Sequence, residues 1–274
     1  MPCCRIAFLL AVFTFSFAAH AGTLVQFRTV FGDIEVELYD QDKPVTVQNF
    51  LNYVKTGRYQ NEFAHRLVPN FVIQGGGFTL TTNTIGAVPT FAPITNEINT
   101  GKFYSNVFGT IAMAKTSDPN SATSQFFFNL TNNSVSLDDT NNSGGFTVFG
   151  HVIAGTNVLN LFNGFQYFTG TQSSNLIVNE GAPFDSLPLL YPSLASTNFI
   201  YVDISLLQVA ITNQNNTEQI SWNSVTGLTN IVEFTTNFPP VWNTLAITNG
   251  TGARMTMTDS VVMPSRFYRV RVIY

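Results

Sequence analysis

The residues of this chain that are best suited to chemistry are concentrated in residues 63–79, which read Phe-Ala-His-Arg-Leu-Val-Pro-Asn-Phe-Val-Ile-Gln-Gly-Gly-Gly-Phe-Thr. This segment sets one arginine, Arg66, and one amide, Gln74, among apolar residues, and then reaches a run of glycines. Arginine stays protonated and presents a rigid fork of N–H donors that tolerates partial burial. A guanidinium beside an apolar surface suits a catalyst whose substrate is uncharged.

Each of these residues also has an ordinary structural interpretation. Arg66 could form a surface ion pair, Gln74 could be a surface hydrogen-bonding residue, and the glycines could form a turn or a bulge. On a strand, Arg66 and Val68 would share one face and His65 and Leu67 the other. Gln74 would then present its amide at the rim of a sheet, where the glycines would let a ligand approach the backbone closely.

A second segment, residues 124–129, carries three consecutive phenylalanines between polar residues. On a strand, Phe126 and Phe128 would face the core, whereas Phe127 would share the opposite face with Gln125. An aromatic ring beside an amide is typical of the wall of a pocket that admits apolar groups.

The elements that must position these residues are mostly strands. Residues 32–38 alternate strictly between apolar and polar side chains, which predicts a half-buried strand, and residues 23–29 are its expected hairpin partner. Residues 44–56 have helical spacing after Pro44, and a shorter helix is expected over about residues 157–162, with Thr156 as a possible N-cap. Further strands are expected at residues 65–68, 71–74, 109–114, 125–130, 146–153 and 200–209. About eight strands with two helices predict a mainly β fold, a closed antiparallel eight-stranded β-barrel capped by the two helices.

Three ordered blocks carry a resemblance to a known family: residues 63–79, residues 106–114 followed by 121–128, and residues 146–152. Together they resemble the cyclophilin family of peptidyl-prolyl cis-trans isomerases, over roughly residues 22–209. The resemblance implies that Arg66 is the catalytic arginine and that Gln74 holds the substrate backbone. It implies a substrate-binding surface made by His65, Phe71, Val72, Met113, Ala114, Gln125, Phe127, Leu137 and Phe146, of which Phe71, Val72, Phe127 and Leu137 form the proline pocket.

Some positions depart from the family pattern. Lys115 stands where an asparagine often follows the Met-Ala pair, Ser136 stands where an aromatic residue is expected, and Phe146 stands where a histidine is expected. The loop over residues 136–145 is longer than usual and rich in Asn. These departures predict weak binding of the cyclic peptide cyclosporin.

The composition changes after about Val209. Residues 211–218 are polar and rich in Asn, which indicates a linker, and short β-like runs follow at residues 219–223, 229–235, 245–248, 254–258 and 267–274. They predict a small separate β-sandwich over residues 219–274. Ile220-Ser-Trp222 and Arg266-Phe-Tyr-Arg-Val270 resemble small fibronectin-like modules of exported proteins, which implies possible cell-surface or matrix contacts.

Residues 1–21 are typical of an export signal. Arg5 precedes an apolar run over residues 6–18, and Ala19-His20-Ala21 forms a small-x-small cleavage signal before Gly22. The alternative is an uncleaved membrane anchor, although a run of about 13 residues is shorter than the ~20 that a span needs. Cleavage predicts an exported protein, periplasmic or secreted, without stable membrane insertion.

Composition excludes several classes of function. The 274 residues have a net charge of −4 and only 10% charged residues, so no basic surface for nucleic acid is expected. Both cysteines lie in the export signal, and two histidines remain outside it, so we expect no metal centre. Because the expected catalyst only needs to lower the barrier to rotation about a peptide bond, we expect no cofactor.

Three functions remain open from the sequence. The first is an isomerase that acts on proline-containing polypeptides and assists the folding of exported proteins. The second is a module that binds proline segments without useful turnover. The third is a surface-attachment protein that acts through its C-terminal strands.

Overall fold

The computed structural model describes residues 22–206, 209–214, 217–224, 229–237, 239–251, 254–260 and 265–273. The predicted export signal, residues 1–21, lies outside the described residues. The helices are α1 Pro44–Lys55, α2 Ser134–Leu137 and α3 Thr156–Phe162, with a 3₁₀ turn at Ser196–Asn198. The strands are β1 Leu24–Thr29, β2 Gly32–Leu38, β3 Arg66–Val68, β4 Val72–Gly75, β5 Phe78–Thr81, β6 Thr84–Ala87, β7 Thr110–Met113, β8 Phe126–Asn129, β9 Val148–Ala154, β10 Gln166–Tyr167, β11 Leu176–Val178, β12 Leu187–Leu189, β13 Asp203–Leu206, β14 Val209–Gln214, β15 Thr217–Asn223, β16 Thr229–Thr235, β17 Asn243–Asn249, β18 Arg254–Asp259 and β19 Phe267–Ile273.

The main sheet has eight antiparallel strands in the order β13-β1-β2-β9-β7-β8-β4-β3. The prediction of a closed barrel is wrong, because β13 and β3 are edge strands and the sheet is a curled half-barrel. A single bridge, Phe63 to Tyr201, joins the segments that precede these two strands. The physical reason is that β3 finds other partners: the Leu67 amide at its outer edge donates to the Ser186 carbonyl at 2.8 Å.

The core of the curled sheet follows the predicted alternation. Ile34, Val36 and Leu38 of β2 are buried, while the intervening residues are partly exposed, which confirms the half-buried strand. Helix α1 covers this core with Phe50, whose ring centroid lies 5.8 Å from that of Phe27 on β1. The prediction of a helix after Pro44 is therefore confirmed.

The number of helices differs from the prediction. A third helix, the single turn α2, was not predicted, and its last two residues overlap the expected loop over residues 136–145. Helix α3 is where it was predicted, but Thr156 is its first residue and Gly155 precedes it with φ 86°. A Cβ at Gly155 would lie 2.0 Å from the Asp33 carbonyl oxygen, so this left-handed entry requires glycine.

The C-terminal strands form two three-stranded sheets, β14-β15-β18 and β17-β16-β19. The expected linker over residues 211–218 is wrong for the residues that the structure describes, because residues 211–214 of β14 pair with residues 217–220 of β15, with Asn213 opposite Glu218. Their polar side chains are tolerated because β14 is an edge strand that faces solvent. The two sheets share one apolar cluster around Trp222 and Val232, and Trp222 Nε1 donates to Asn230 Oδ1 at 3.0 Å. The domain boundaries and the fibronectin-like resemblance stay predictions.

In the described part of the chain, no helix is long and apolar enough to cross a membrane. Within the same residues, no group of three or more His, Cys, Asp or Glu side chains could hold a metal ion.

Candidate active site

One row of residues crosses four neighbouring strands of the curled sheet. Arg66 on β3 is opposite Gln74 on β4, Gln74 is opposite Phe127 on β8, and Phe127 is opposite Ala112 on β7. Directly opposed residues of an antiparallel pair point to the same face of the sheet. The register therefore brings the predicted arginine, amide and aromatic ring onto one surface, although they are far apart in the chain.

An apolar cluster, the predicted proline pocket, lies on this same surface. Its buried members are Val72, Ala112, Phe127, Leu137 and Val148, and its partly buried members include Phe71, Ala114 and Phe146. The pocket unites the four residues that were predicted to hold a proline ring. The ring centroids of Phe127 and Phe146 are 5.9 Å apart at 70°, which is an edge-to-face contact.

Leu137 reaches the pocket because α2 is tied back to the sheet by buried asparagines. The Asn133 side chain donates to the Phe71 carbonyl and to Asn129 Oδ1, each at 2.8 Å. Asn129, in turn, donates to Asn106 Oδ1 at 3.1 Å and is fully buried. This network was not predicted from the sequence. The alternation of Phe127 with Asn129 on one strand face was the signal that could have revealed it.

The Arg66 guanidinium lies at the edge of the pocket. Its central carbon is 6.0 Å from the centroid of the Phe71 ring, and the side chain is half-buried. Among the described residues, the guanidinium forms no ion pair and no hydrogen bond. Its N–H donors are therefore available to a ligand in the pocket.

Two amides and a histidine stand beside the arginine. Gln74 Nε2 donates to Gln125 Oε1 at 2.7 Å. Burial lowers the pKa of His65 to about 4, although the contact with Gln125 acts in the opposite direction. The neutral imidazole packs edge-on against Phe78, with centroids 5.0 Å apart. His65 is thus a buried, uncharged support and lies on the opposite face from Arg66.

The structure separates Met113 from the other predicted binding residues. Met113 is buried in the central core, opposite Phe126, whereas its neighbours Ala112 and Ala114 belong to the pocket cluster. Strand alternation is the reason, since consecutive residues of a strand point to opposite faces.

Glu62 is a second buried group to which the sequence analysis gave no role. Its carboxylate accepts a short hydrogen bond from the Gly76 amide, and its Oε1 has no hydrogen-bond partner among the described residues. Burial raises the pKa of Glu62 well above its usual range, against the effect of the Gly76 hydrogen bond. The carboxyl group fits beneath Gly75 because a Cβ at that position would lie 3.0 Å from Oε1. The position of Glu62 directly before the apolar Phe63 was the feature of the sequence that could have indicated its burial.

The family model described as cyclophilin type peptidyl-prolyl cis-trans isomerase/CLD matches residues 24–178 of this chain. The chain belongs to the cyclophilin family. The matched residues contain the whole row from Arg66 to Ala112 and the pocket beside it, and they end before the C-terminal sheets.

Bacterial peptidyl-prolyl cis-trans isomerases are similar to more than half of this chain. The peptidyl-prolyl cis-trans isomerase of Acinetobacter baylyi is 44% identical over 155 residues, which cover 57% of this chain and 79% of that protein. The peptidyl-prolyl cis-trans isomerase B of Escherichia coli is 41% identical over 147 residues, covering 52% of this chain and 84% of that protein. Among solved structures, a cyclophilin type isomerase of Cryptosporidium parvum is similar with a TM-score of 0.44 and 22% identity, covering 68% of this chain and 98% of that one.

Proposed function

We propose that this cyclophilin accelerates cis-trans isomerisation of the peptide bond that precedes proline, with Arg66 as the hydrogen-bond donor to the reacting amide. The observation that carries the proposal is the position of Arg66. Its guanidinium, without an ion pair among the described residues, lies at the edge of an apolar pocket on the same face of the sheet.

The chemistry needs a donor and no nucleophile. A peptide bond resists rotation with a barrier of ~18–20 kcal/mol because of its partial double-bond character. Resonance is lost when the bond twists, and the proline nitrogen gains a lone pair. A donor that bonds this lone pair stabilises the twisted state more than the planar one, and so lowers the barrier. Each tenfold gain in rate requires about 1.4 kcal/mol of such stabilisation.

The remaining residues would hold the two sides of the bond. The pocket of Phe71, Val72, Phe127 and Leu137 would bury the proline ring. Gln74 would bond the substrate backbone, because its amide nitrogen is oriented by Gln125 and its carbonyl oxygen is left to accept a hydrogen bond. With one side fixed, rotation is confined to the other side.

Exchange spectroscopy on a short proline-containing peptide tests this function. Catalytic amounts of the protein should produce cis-trans exchange peaks at mixing times of about a second, whereas the free peptide exchanges over tens to hundreds of seconds. Peptide signals that shift on addition of the protein without faster exchange would instead support the module that binds proline segments without turnover.

We further propose that the clients are exported proteins, on the basis of the signal-like residues 1–21. The test is fractionation of the native bacterial host followed by N-terminal sequencing. A mature protein that begins at Gly22 in the periplasm or the medium is expected. A membrane-bound protein that keeps residues 1–21 would overturn export by cleavage and support the anchor.

A further inference from the structure

A fixed cation stands at the rim of the proline pocket. Lys115 follows β7, and its ammonium lies 4.3 Å from the centroid of the Phe146 ring. The same ammonium donates a short hydrogen bond to the Ser143 carbonyl. The ring face and the carbonyl together hold the charge in one place, on the side of the pocket formed by β7 and the segment before β9.

This charge is not neutralised by a direct partner. In the part of the chain that the structure describes, Lys115 forms no ion pair, and Asp118 is the acidic residue that acts on it electrostatically. The position of Lys115 differs from that of Lys102, the other lysine near this surface. The Lys102 ammonium lies 5.0 Å from the centroid of the Tyr104 ring. Lys115 instead lies over Phe146, whose ring contacts that of Phe127.

The spacing brings Lys115 within reach of a bound substrate. The ammonium is 4.3 Å from the centre of the Phe146 ring, and that ring is 5.9 Å from the centre of the Phe127 ring. An extended peptide advances about 3.3 Å per residue, so the combined separation corresponds to about three residues. A peptide whose proline rests on Phe127 and whose chain runs toward Phe146 would therefore carry a flanking side chain close to the ammonium.

We propose that Lys115 makes this enzyme select proline sites that have a carboxylate within three residues of the proline. An aspartate or glutamate side chain at the right position would pair with a cation that is already immobilised. Because the pair would lie at a partly desolvated surface, its attraction exceeds that of a fully exposed pair. The inference rests on the isomerase activity proposed above.

The test compares matched peptides that differ only in charge. In each pair, one peptide carries Glu and the other carries Gln at the same position, which is one of the three positions before or after a single proline. The value of kcat/KM is measured for every peptide. Turnover of the Gln peptides tests the isomerase function by itself, and the Glu/Gln ratio tests Lys115. We expect a ratio of at least about threefold in at least one position at low salt, falling as ionic strength approaches about 1 M.

Variants assign that ratio to Lys115. In Lys115→Met the ratio should fall to about one, and in Lys115→Glu it should drop below one, because like charges repel. Lys55→Met removes the same charge from the exposed end of α1 and should keep the wild-type ratio. A wild-type ratio near one at every position, or a ratio that persists in Lys115→Met, would overturn the proposal.

Discussion

The side-chain amide of Gln74 donates to that of Gln125 at 2.7 Å, although 51 positions separate the two residues in the chain. This bond uses the Gln74 side-chain nitrogen as its donor, so the Gln74 carbonyl oxygen takes no part in it. The bond joins β4 to the residue that precedes β8, and it fixes the two amide side chains relative to each other.

Removing the guanidinium should abolish most of the activity while the fold remains. For Arg66→Ala we expect kcat/KM on a short proline peptide to fall at least about tenfold, a loss of about 1.4 kcal/mol of transition-state stabilisation. Arg66→Lys keeps the charge but loses the planar fork, so its activity should lie between that of the wild type and that of Arg66→Ala. Far-UV circular dichroism verifies folding. Unchanged turnover in folded Arg66→Ala would remove Arg66 from the mechanism.

Adding one methyl group at Gly77 should displace the His65 and Gln125 side chains, which lie beside the candidate active site. A Cβ there would lie 2.9 Å from His65 Cε1 and 3.1 Å from Gln125 Cδ, so both side chains must move. We expect Gly77→Ala to lower kcat/KM several-fold. Gly86→Ala is the matched control, since its Cβ would meet only Thr79 Oγ1 at 3.8 Å. Equal activities of the two variants would show that the arrangement of His65 and Gln125 does not affect turnover.

The stability of the protein should depend on pH through His65. Its pKa is about 4 when folded and 6.5 in the reference state, so the unfolded chain binds more protons between these values. This contribution is fully present above pH 6.5 and is lost as pH falls toward 4, with a total of about 3 kcal/mol. Glu62 and Asp33, whose pKa values are raised, change stability in the opposite direction.

The contribution of His65 is isolated by a difference measurement. Urea denaturation gives the free energy of unfolding of the wild type and of His65→Gln at several pH values between 4 and 7. The advantage of the wild type should shrink as pH falls. A difference that stays constant across this range would mean that His65 is protonated to the same extent in both states.

Shortening the chain should separate the isomerase region from the C-terminal sheets. A chain that ends at Val209 should keep kcat/KM within about twofold of the full-length value, because the site lies in the curled sheet. A chain that ends at Val202 removes β13, which pairs with β1 from Val25 to Arg28, and should melt at a lower temperature. If the chain that ends at Val209 folds but loses activity, the C-terminal sheets support the site. Retained activity with lost attachment to cells would favour the surface-attachment function.

The sequence by itself determined the local elements and the identity of the chemical groups. Alternation on β2 and the helical spacing after Pro44 are encoded by neighbouring residues, so both elements were predicted in the right place. The three ordered blocks were sufficient to indicate the family, because the residue types and spacing of each block lie within a short stretch.

The tertiary structure decided what those groups face. Pairing among β3, β4, β8 and β7 placed Ala112 in the pocket and Met113 in the core, and it left β3 and β13 unpaired with each other. It also buried Glu62 and set Lys115 over Phe146. These outcomes depend on register between segments that are distant in the chain, and a shift of one residue would turn every side chain to the other face. A local pattern predicts which residues share a face, but it does not identify the partner strand or the residue opposite, so only the folded chain specifies them.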